Sequence, residues 1–293
     1  MSRIEVLKTY KIYIGGQFPR TESGRYYVLT NKKKEPVANV SLSSRKDFRN
    51  AVVAARNAAG GWSARPAFNR GQILYRIAEM LEGRKEQFIA ELVLQGSTPR
   101  SAAEEVTRSI DRLVYYSGWC DKYQQLFGTV NPVASSHFNF SVPEPTGVVA
   151  VIAPEESALL GLVSVIAPVI AGGNTCVILA SNSLPLSSIT LAEVLATSDV
   201  PGGVVNILTG TTAELAAQFS NHMDVNAVVY CRQNAEERKM IAQNSSLNVK
   251  RALFWEHDWK KPASENPYLI MDLQETKTTW HPIENIGTSG VKY

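Results

Sequence analysis

The sequence predicts an α/β protein built on an open, mostly parallel sheet. Two observations carry that prediction. From Gly147 onward, short and almost unbroken apolar runs (Gly147–Ala153, Thr175–Leu179, Val204–Leu208, Ala227–Tyr230) alternate with helical stretches (Leu159–Ala171, Ser187–Ala196, Ala213–Ser220). Strands that are apolar throughout, rather than at every second residue, suit a parallel sheet covered by helices on both faces. The composition agrees: 293 residues, 44% hydrophobic and 19% charged, are enough to bury a sizeable core.

The elements follow in order. Ile12–Gly16 and Tyr26–Thr30 are β-rich runs separated by Gly15, Gly16 and Gly24, which predicts a hairpin between them. Ser44 opens a helix, with Asp47 as its capping-box partner and Phe48, Val52, Ala55 and Ala59 on one face. Trp62 and Pro66 punctuate it. A second helix is expected from Asn69 to Gln95, with Ile73, Leu74, Ile77, Leu81, Phe88 and Leu92 as its buried stripe. A third is expected from Ser101 to Phe127. After Gly128 the residues alternate, so Val130, Val133, Phe138, Phe140 and Val142 read as a second hairpin around Ala134–Ser136, ended by Pro143 and Pro145.

Charge and cysteine usage exclude several functions. A net charge of +3 with one dense basic run, Lys32–Lys34, reads as a solvated turn and not as a nucleic-acid face. Cys120, Cys176 and Cys231 are odd in number and far apart, which argues against a disulfide framework and fits a cytoplasmic location. The four histidines, His137, His222, His257 and His281, are too scattered for a metal site. Arg3, Glu5, Lys8 and Lys11 break up the amino-terminal stretch, so it is not a secretory signal. The longest apolar stretch, Ala158–Ile170, is too short to cross a bilayer, and no membrane partner is expected. An open α/β sheet offers helix N-termini to phosphates, yet neither GxGxxG nor GxxxxGK[ST] occurs. Gly172, Gly173, Gly202, Gly203 and Gly210 are read as turns or helix caps, with ligand contact the alternative.

Several ordered blocks resemble the aldehyde dehydrogenase superfamily: YIGGQF at Tyr13–Phe18, AVVAARNAAGGWSARP at Ala51–Pro66, NRGQILYRIAEMLE at Asn69–Glu82 and PTGVVAVIAP at Pro145–Pro154, then APVIAGGNTCVILA at Ala167–Ala180 and PGGVVNILTG at Pro201–Gly210. The resemblance implies a Rossmann-like cofactor-binding domain, residues 1–127 and 144–255. It also implies a small antiparallel oligomerisation sheet from 128–143 and 268–283, in which the tail Glu275–Pro282 supplies the third strand. Residues 256–267 are then a linker standing where the family has its catalytic domain. That arrangement is similar to the shortened second domain of the two-domain family-16 enzymes.

The resemblance also implies losses. In the family a cysteine attacks the aldehyde, an asparagine holds the oxyanion, a glutamate activates the deacylating water and NAD or NADP takes the hydride. Here Glu156 stands in place of the asparagine of P-W-N-F-P, where a carboxylate repels an oxyanion. Ala180 and Ser183 replace the lysine and glutamate that grip the adenosine ribose. Tyr230–Gln233 replaces F-T-G-S, so Arg232 is read as a surface arginine, with phosphate contact the alternative. Glu256 is a loop residue without the family's E-L-G-G-K-S-P setting, and no cysteine follows Cys231. No catalytic residue is assigned; Pro154 and Gly210 are the candidate cofactor contacts. The expected role is that of a catalytically incompetent homologue, a structural or regulatory subunit of a complete aldehyde dehydrogenase or a self-associating protein. An autonomous NAD(P)-dependent enzyme and a bare dinucleotide-binding module are the alternatives.

Overall fold

The computed structural model describes residues 6–283. Arg3, Glu5 and the first five residues of the expected domain lie outside that range. In chain order the elements are β1 (Thr9–Tyr10), β2 (Tyr26–Thr30), β3 (Pro36–Ser41), α1 (Arg45–Ser63), α2 (Ala67–Gly83), α3 (Lys85–Leu94), α4 (Pro99–Trp119) and α5 (Tyr123–Phe127). They continue with β4 (Thr129–Asn131), β5 (His137–Pro145), β6 (Val148–Ile152), α6 (Leu160–Ala171), β7 (Thr175–Leu179), α7 (Leu186–Ala196), β8 (Val205–Leu208), α8 (Thr212–Asn221), β9 (Ala227–Tyr230), α9 (Ala235–Ser246), β10 (Arg251–Phe254), α10 (Tyr268–Met271) and β11 (Gln274–Pro282).

The central sheet is parallel, in the order β10-β9-β6-β7-β8. Its strands are buried on both faces. Val149 and Val151 of β6 pack into one core with α2, α4, α6 and α7, whereas Val148, Ala150 and Ile152 pack into the other with Phe48, Val52, Leu215 and Phe219. Strand order reverses between β6 and β9, and a sheet of this kind opens its crevice at the C-terminal ends of the strands flanking the reversal.

The capping box of α1 forms as read, with the Ser44 side chain accepting from the Asp47 N–H while Asp47 accepts from the Ser44 N–H. The expected amino-terminal hairpin does not form. Tyr13 instead pairs with Ile207 beside β8, while β2 pairs with β3 across a turn that holds Lys32–Lys34. Asn31 Oδ1 accepts from the N–H groups of Lys33 and Glu35 and closes that turn. Gly202 lets the Gly15 strand approach: a Cβ on it would lie 2.5 Å from the Gly15 carbonyl oxygen.

The expected 69–95 helix is two helices, because Arg84 leaves helical geometry (φ −112°, ψ 14°) just after Gly83, a poor helix former. The 101–127 helix likewise breaks after Trp119. Beside the short β1, β3 and α10, the sequence reading missed α9, which buries only Ile241 and Ser245 and so has no apolar stripe, and β10, the fifth strand of the sheet.

The small antiparallel sheet has the order β11-β5-β4, with Thr278 opposite Ser141 and Thr129 opposite Ser141 on the other side. β5 runs through Pro143 rather than ending there. The proline is tolerated because β4 has already stopped at Ser141, so its missing N–H leaves no ladder partner wanting. Arg251 ties this sheet to the large one, donating to the carbonyls of Asp272 and Gln274 at 2.8 Å each and pairing with Glu275 at 2.8 Å.

Residues 256–267 are not a loose linker. Arg112, 4% exposed on the inner face of α4, donates to Ser164 Oγ (2.6 Å), to the carbonyls of Trp259 and Ser264 (3.3 Å each) and to Glu265 (2.9 Å). That clamp fixes the segment against α4 and α6. A charged residue between Ser109, Leu113 and Tyr116, on a stripe that is otherwise apolar, is the sequence signal that could have revealed it.

Candidate functional site

The crevice lies where the topology puts it. The segments that follow β6 (Ala153–Ser157), β9 (Cys231–Gln233) and β10 (Trp255–Lys260) line a cleft of about 490 Å³. Across its floor runs an ion pair between the first two, Arg232 Nη1 to Glu155 Oε2 at 2.9 Å, with the arginine side chain 12% exposed. Arg232 also donates from Nε to the Ala153 carbonyl (3.0 Å) and from Nη2 to the Ala180 carbonyl (3.1 Å). It is therefore not the surface arginine that its sequence position suggested. Its planar fork braces the ends of β6 and β7.

Glu155 is equally committed. Its Oε1 accepts from the Ser183 N–H (2.8 Å), and its Oε2 from the Asn182 N–H (3.3 Å). Burial alone would raise its pKa, but the Arg232 charge and the bonds from Ser183 and Asn182 outweigh burial and hold the carboxyl below its ordinary range.

Three helix N-termini on this edge, those of α6, α7 and α9, are bonded to side chains of the same chain, whereas α8 has no side-chain cap. The Leu159 and Leu160 N–H groups at the start of α6 donate to Glu105 Oε1 at 2.9 and 3.1 Å. The Leu186 N–H of α7 donates to Gln95 Oε1 at 3.0 Å. Asn234 Oδ1 accepts from Glu236 and Glu237 at the start of α9, and those two carboxylates in the first turn oppose an incoming phosphate.

Glu156 is exposed in the cleft, and Ala180 is fully buried with only its carbonyl engaged at the site. Ser183 serves through its backbone N–H. Glu256 is ion-paired with Arg238 of α9 and also lines the cleft. Pro154 lines the cleft as well and packs against Gly161 of α6. Gly210 does not; with φ at 154° it turns the chain between β8 and α8, close to Leu215 and Ser43.

Cys231 faces the cleft, but burial pushes its thiol well up despite Arg232 nearby; burial likewise raises Cys120, to about 12, and Cys176. Such thiols are poor nucleophiles. Among the described residues no group of three or more His, Cys, Asp or Glu side chains could hold a metal ion. His257 packs edge-on against Trp259, and His137 hydrogen-bonds Ser135.

These residues are a poor fit for the dinucleotide implied by the family resemblance: α6, α7 and α9 offer N–H groups already bonded to Glu105, Gln95 and Asn234, and the fully buried Ala180 stands where the resemblance puts the ribose-gripping lysine. Among the described residues, no helix is long and apolar enough to cross a membrane.

Comparison with known proteins locates the chain. The sequence profile described as "Aldehyde dehydrogenase family" matches residues 18–254. The cytosolic 10-formyltetrahydrofolate dehydrogenase of Mus musculus is 29% identical over 86% of this chain and 28% of its own length. An aldehyde dehydrogenase of Aspergillus niger is 30% identical over 82% of this chain and 48% of its own. The NAD+ complex of an aldehyde dehydrogenase from Bacillus cereus superposes with a TM-score of 0.80 at 26% identity, covering 84% of this chain and 50% of that one. The chain thus spans about half the length, or less, of these relatives. The parallel sheet, its helical layers and the small antiparallel sheet all agree with that likeness, and the chain belongs to the aldehyde dehydrogenase family.

Proposed function

We propose that this chain is a non-catalytic member of the aldehyde dehydrogenase family that serves, in the cytoplasm, as a structural or regulatory subunit of a complete aldehyde dehydrogenase. The observation that carries the reading is the self-bonded crevice: the Glu155–Arg232 pair and the side-chain-bonded N-termini of α6 and α9 leave few donors for a dinucleotide. Glu156 in the cleft adds a charge that opposes an oxyanion. The buried Cys231 thiol supplies no ready nucleophile.

The small sheet supports the choice of partner. β11 forms its edge with nine residues, of which Trp280 stands 57% exposed, while Phe138 of the central strand β5 is 46% exposed on the other face. An edge of that length offers its outer N–H and C=O groups to a strand of another chain.

Calorimetry with NAD and NADP on the purified chain tests the first half. No binding in the low-micromolar range is expected, since each lost charge-assisted bond removes about 1.5–3 kcal/mol. Low-micromolar binding or aldehyde-dependent reduction of either dinucleotide defeats the reading. Co-purification with a complete family member tests the second half, and deletion of residues 276–282 should abolish it while the parallel-sheet domain stays folded.

A further inference from the structure

We propose that Ser181–Ser183 and Arg232 form a built anion pocket for which the Glu155 carboxylate is the resident ligand, so that removing that carboxylate lets a small oxyanion, carboxylate or phosphate, bind in its place. The inference deepens the reading of the crevice as self-bonded and rests on it.

Three donors converge on the two oxygens of this one side chain: the Ser183 N–H (2.8 Å) on Oε1, and the Asn182 N–H (3.3 Å) and Arg232 Nη1 (2.9 Å) on Oε2, while Ser181 Oγ lies 3.3 Å from Oε1 with its one hydrogen on the Glu155 backbone carbonyl. Successive backbone N–H groups with an arginine opposite are the components from which proteins build oxyanion sites. Ordinary surface ion pairs have one cation and water.

The pocket does not depend on Glu155 for its shape. Arg232 is held by the carbonyls of Ala153 and Ala180, and the 181–184 turn is closed by its own bonds, the Leu184 N–H to Ser181 Oγ (3.0 Å) and Ser181 Oγ to the Glu155 backbone carbonyl (2.7 Å). Truncating Glu155 beyond Cβ leaves that backbone carbonyl, and so both restraints, in place. A ligand can reach the site, because Glu155 and Arg232 both line the cleft and the Glu155 side chain is 32% exposed. The pocket also sits at the strand-order reversal, between segments that follow β6, β7 and β9.

The experiment compares the full-length wild type, Glu155→Ala, and the double variant Glu155→Ala with Arg232→Met. Thermal unfolding is followed in rising sodium formate or sodium phosphate against sodium chloride at matched ionic strength, and inorganic phosphate is titrated calorimetrically. A ligand that binds only the folded state raises the midpoint saturably. Glu155→Ala should show that rise and bind phosphate at least tenfold more tightly than wild type, while wild type and the double variant show neither.

A folded Glu155→Ala chain with no anion-specific rise overturns the proposal, and so does a double variant that responds like the single one. Should Glu155→Ala unfold in chloride, its recovery in formate or phosphate is the supporting result, and failure to recover in either overturns it. The wild-type NAD titration judges the functional reading separately: tight NAD binding defeats that reading, whereas the anion pocket stands or falls on the variants.

Discussion

At the C-terminal edge of the parallel sheet, the donors and charges nearest the crevice are bonded to groups of the same chain: Arg232 to Glu155, α6 to Glu105, α9 to Asn234. At the opposite edge, where β5 leads into β6, the small sheet ends in β11 with its outer side unpaired among the described residues and Trp280 facing solvent. An open strand edge costs solubility and persists where it is covered. On the function proposed above, the chain meets its partner at the small sheet.

The strongest way to sharpen the contrast is to break a contact that serves only the closed side. Arg112→Ala strands Ser164, Ser264 and Glu265 around a buried void, and a loss of about 3–5 kcal/mol in chemical denaturation is expected. A loss below about 1 kcal/mol would mean that residues 256–267 are not held by this clamp. On the open side, Trp280→Ala should weaken association with a complete family member by about 2 kcal/mol, read as a shift in the dissociation constant, with little change in the chain's own unfolding. If unfolding moves instead, the Trp280 face is a support for the fold.

Ser44→Ala, outside the cleft, calibrates the scale: loss of one capping box should cost about 1 kcal/mol in the same denaturation assay. The smallest effect concerns pH. The folded-state pKa of Glu155 lies below its ordinary value of 4.5, so its contribution is complete above that value and is lost as pH falls below it toward the folded-state pKa. Denaturation midpoints should therefore drop less steeply with acid in Glu155→Gln than in wild type, and parallel slopes would show that the pair adds nothing to stability.

The parallel strands were legible because burial on both faces leaves a run of apolar residues that few other settings demand. Local chemistry was legible too, as with Ser44 and Asp47. What was not legible depended on partners distant in sequence. Tyr13 has the composition of a hairpin strand, and nothing near it says that it pairs with Ile207. β10, with the sequence RALF, is too short and too half-buried to stand out, and α9 lacks a stripe, although Asn234 ahead of two glutamates was a cap signal in plain view. At the site, resemblance identified the positions that had changed, Glu156, Ala180 and Ser183 among them. It could not disclose that Arg232 and Glu155 had found each other, because that partnership exists only after β6 and β9 are laid side by side.

The pairing of β5 with β11 sets a timetable. Pro145 meets Gln274 and His137 meets Pro282, so one strand must wait for the other until almost all of the intervening sheet has been synthesised. Closing so wide a loop is slow compared with docking α2 on α4 or β6 on β7, whose partners are near neighbours in the chain. During translation the parallel sheet can therefore assemble while His137–Pro145 still lacks β11. Any subunit that recognises the finished edge can join only once β11 has emerged and paired, and until then β5 exposes an unpaired strand edge of its own.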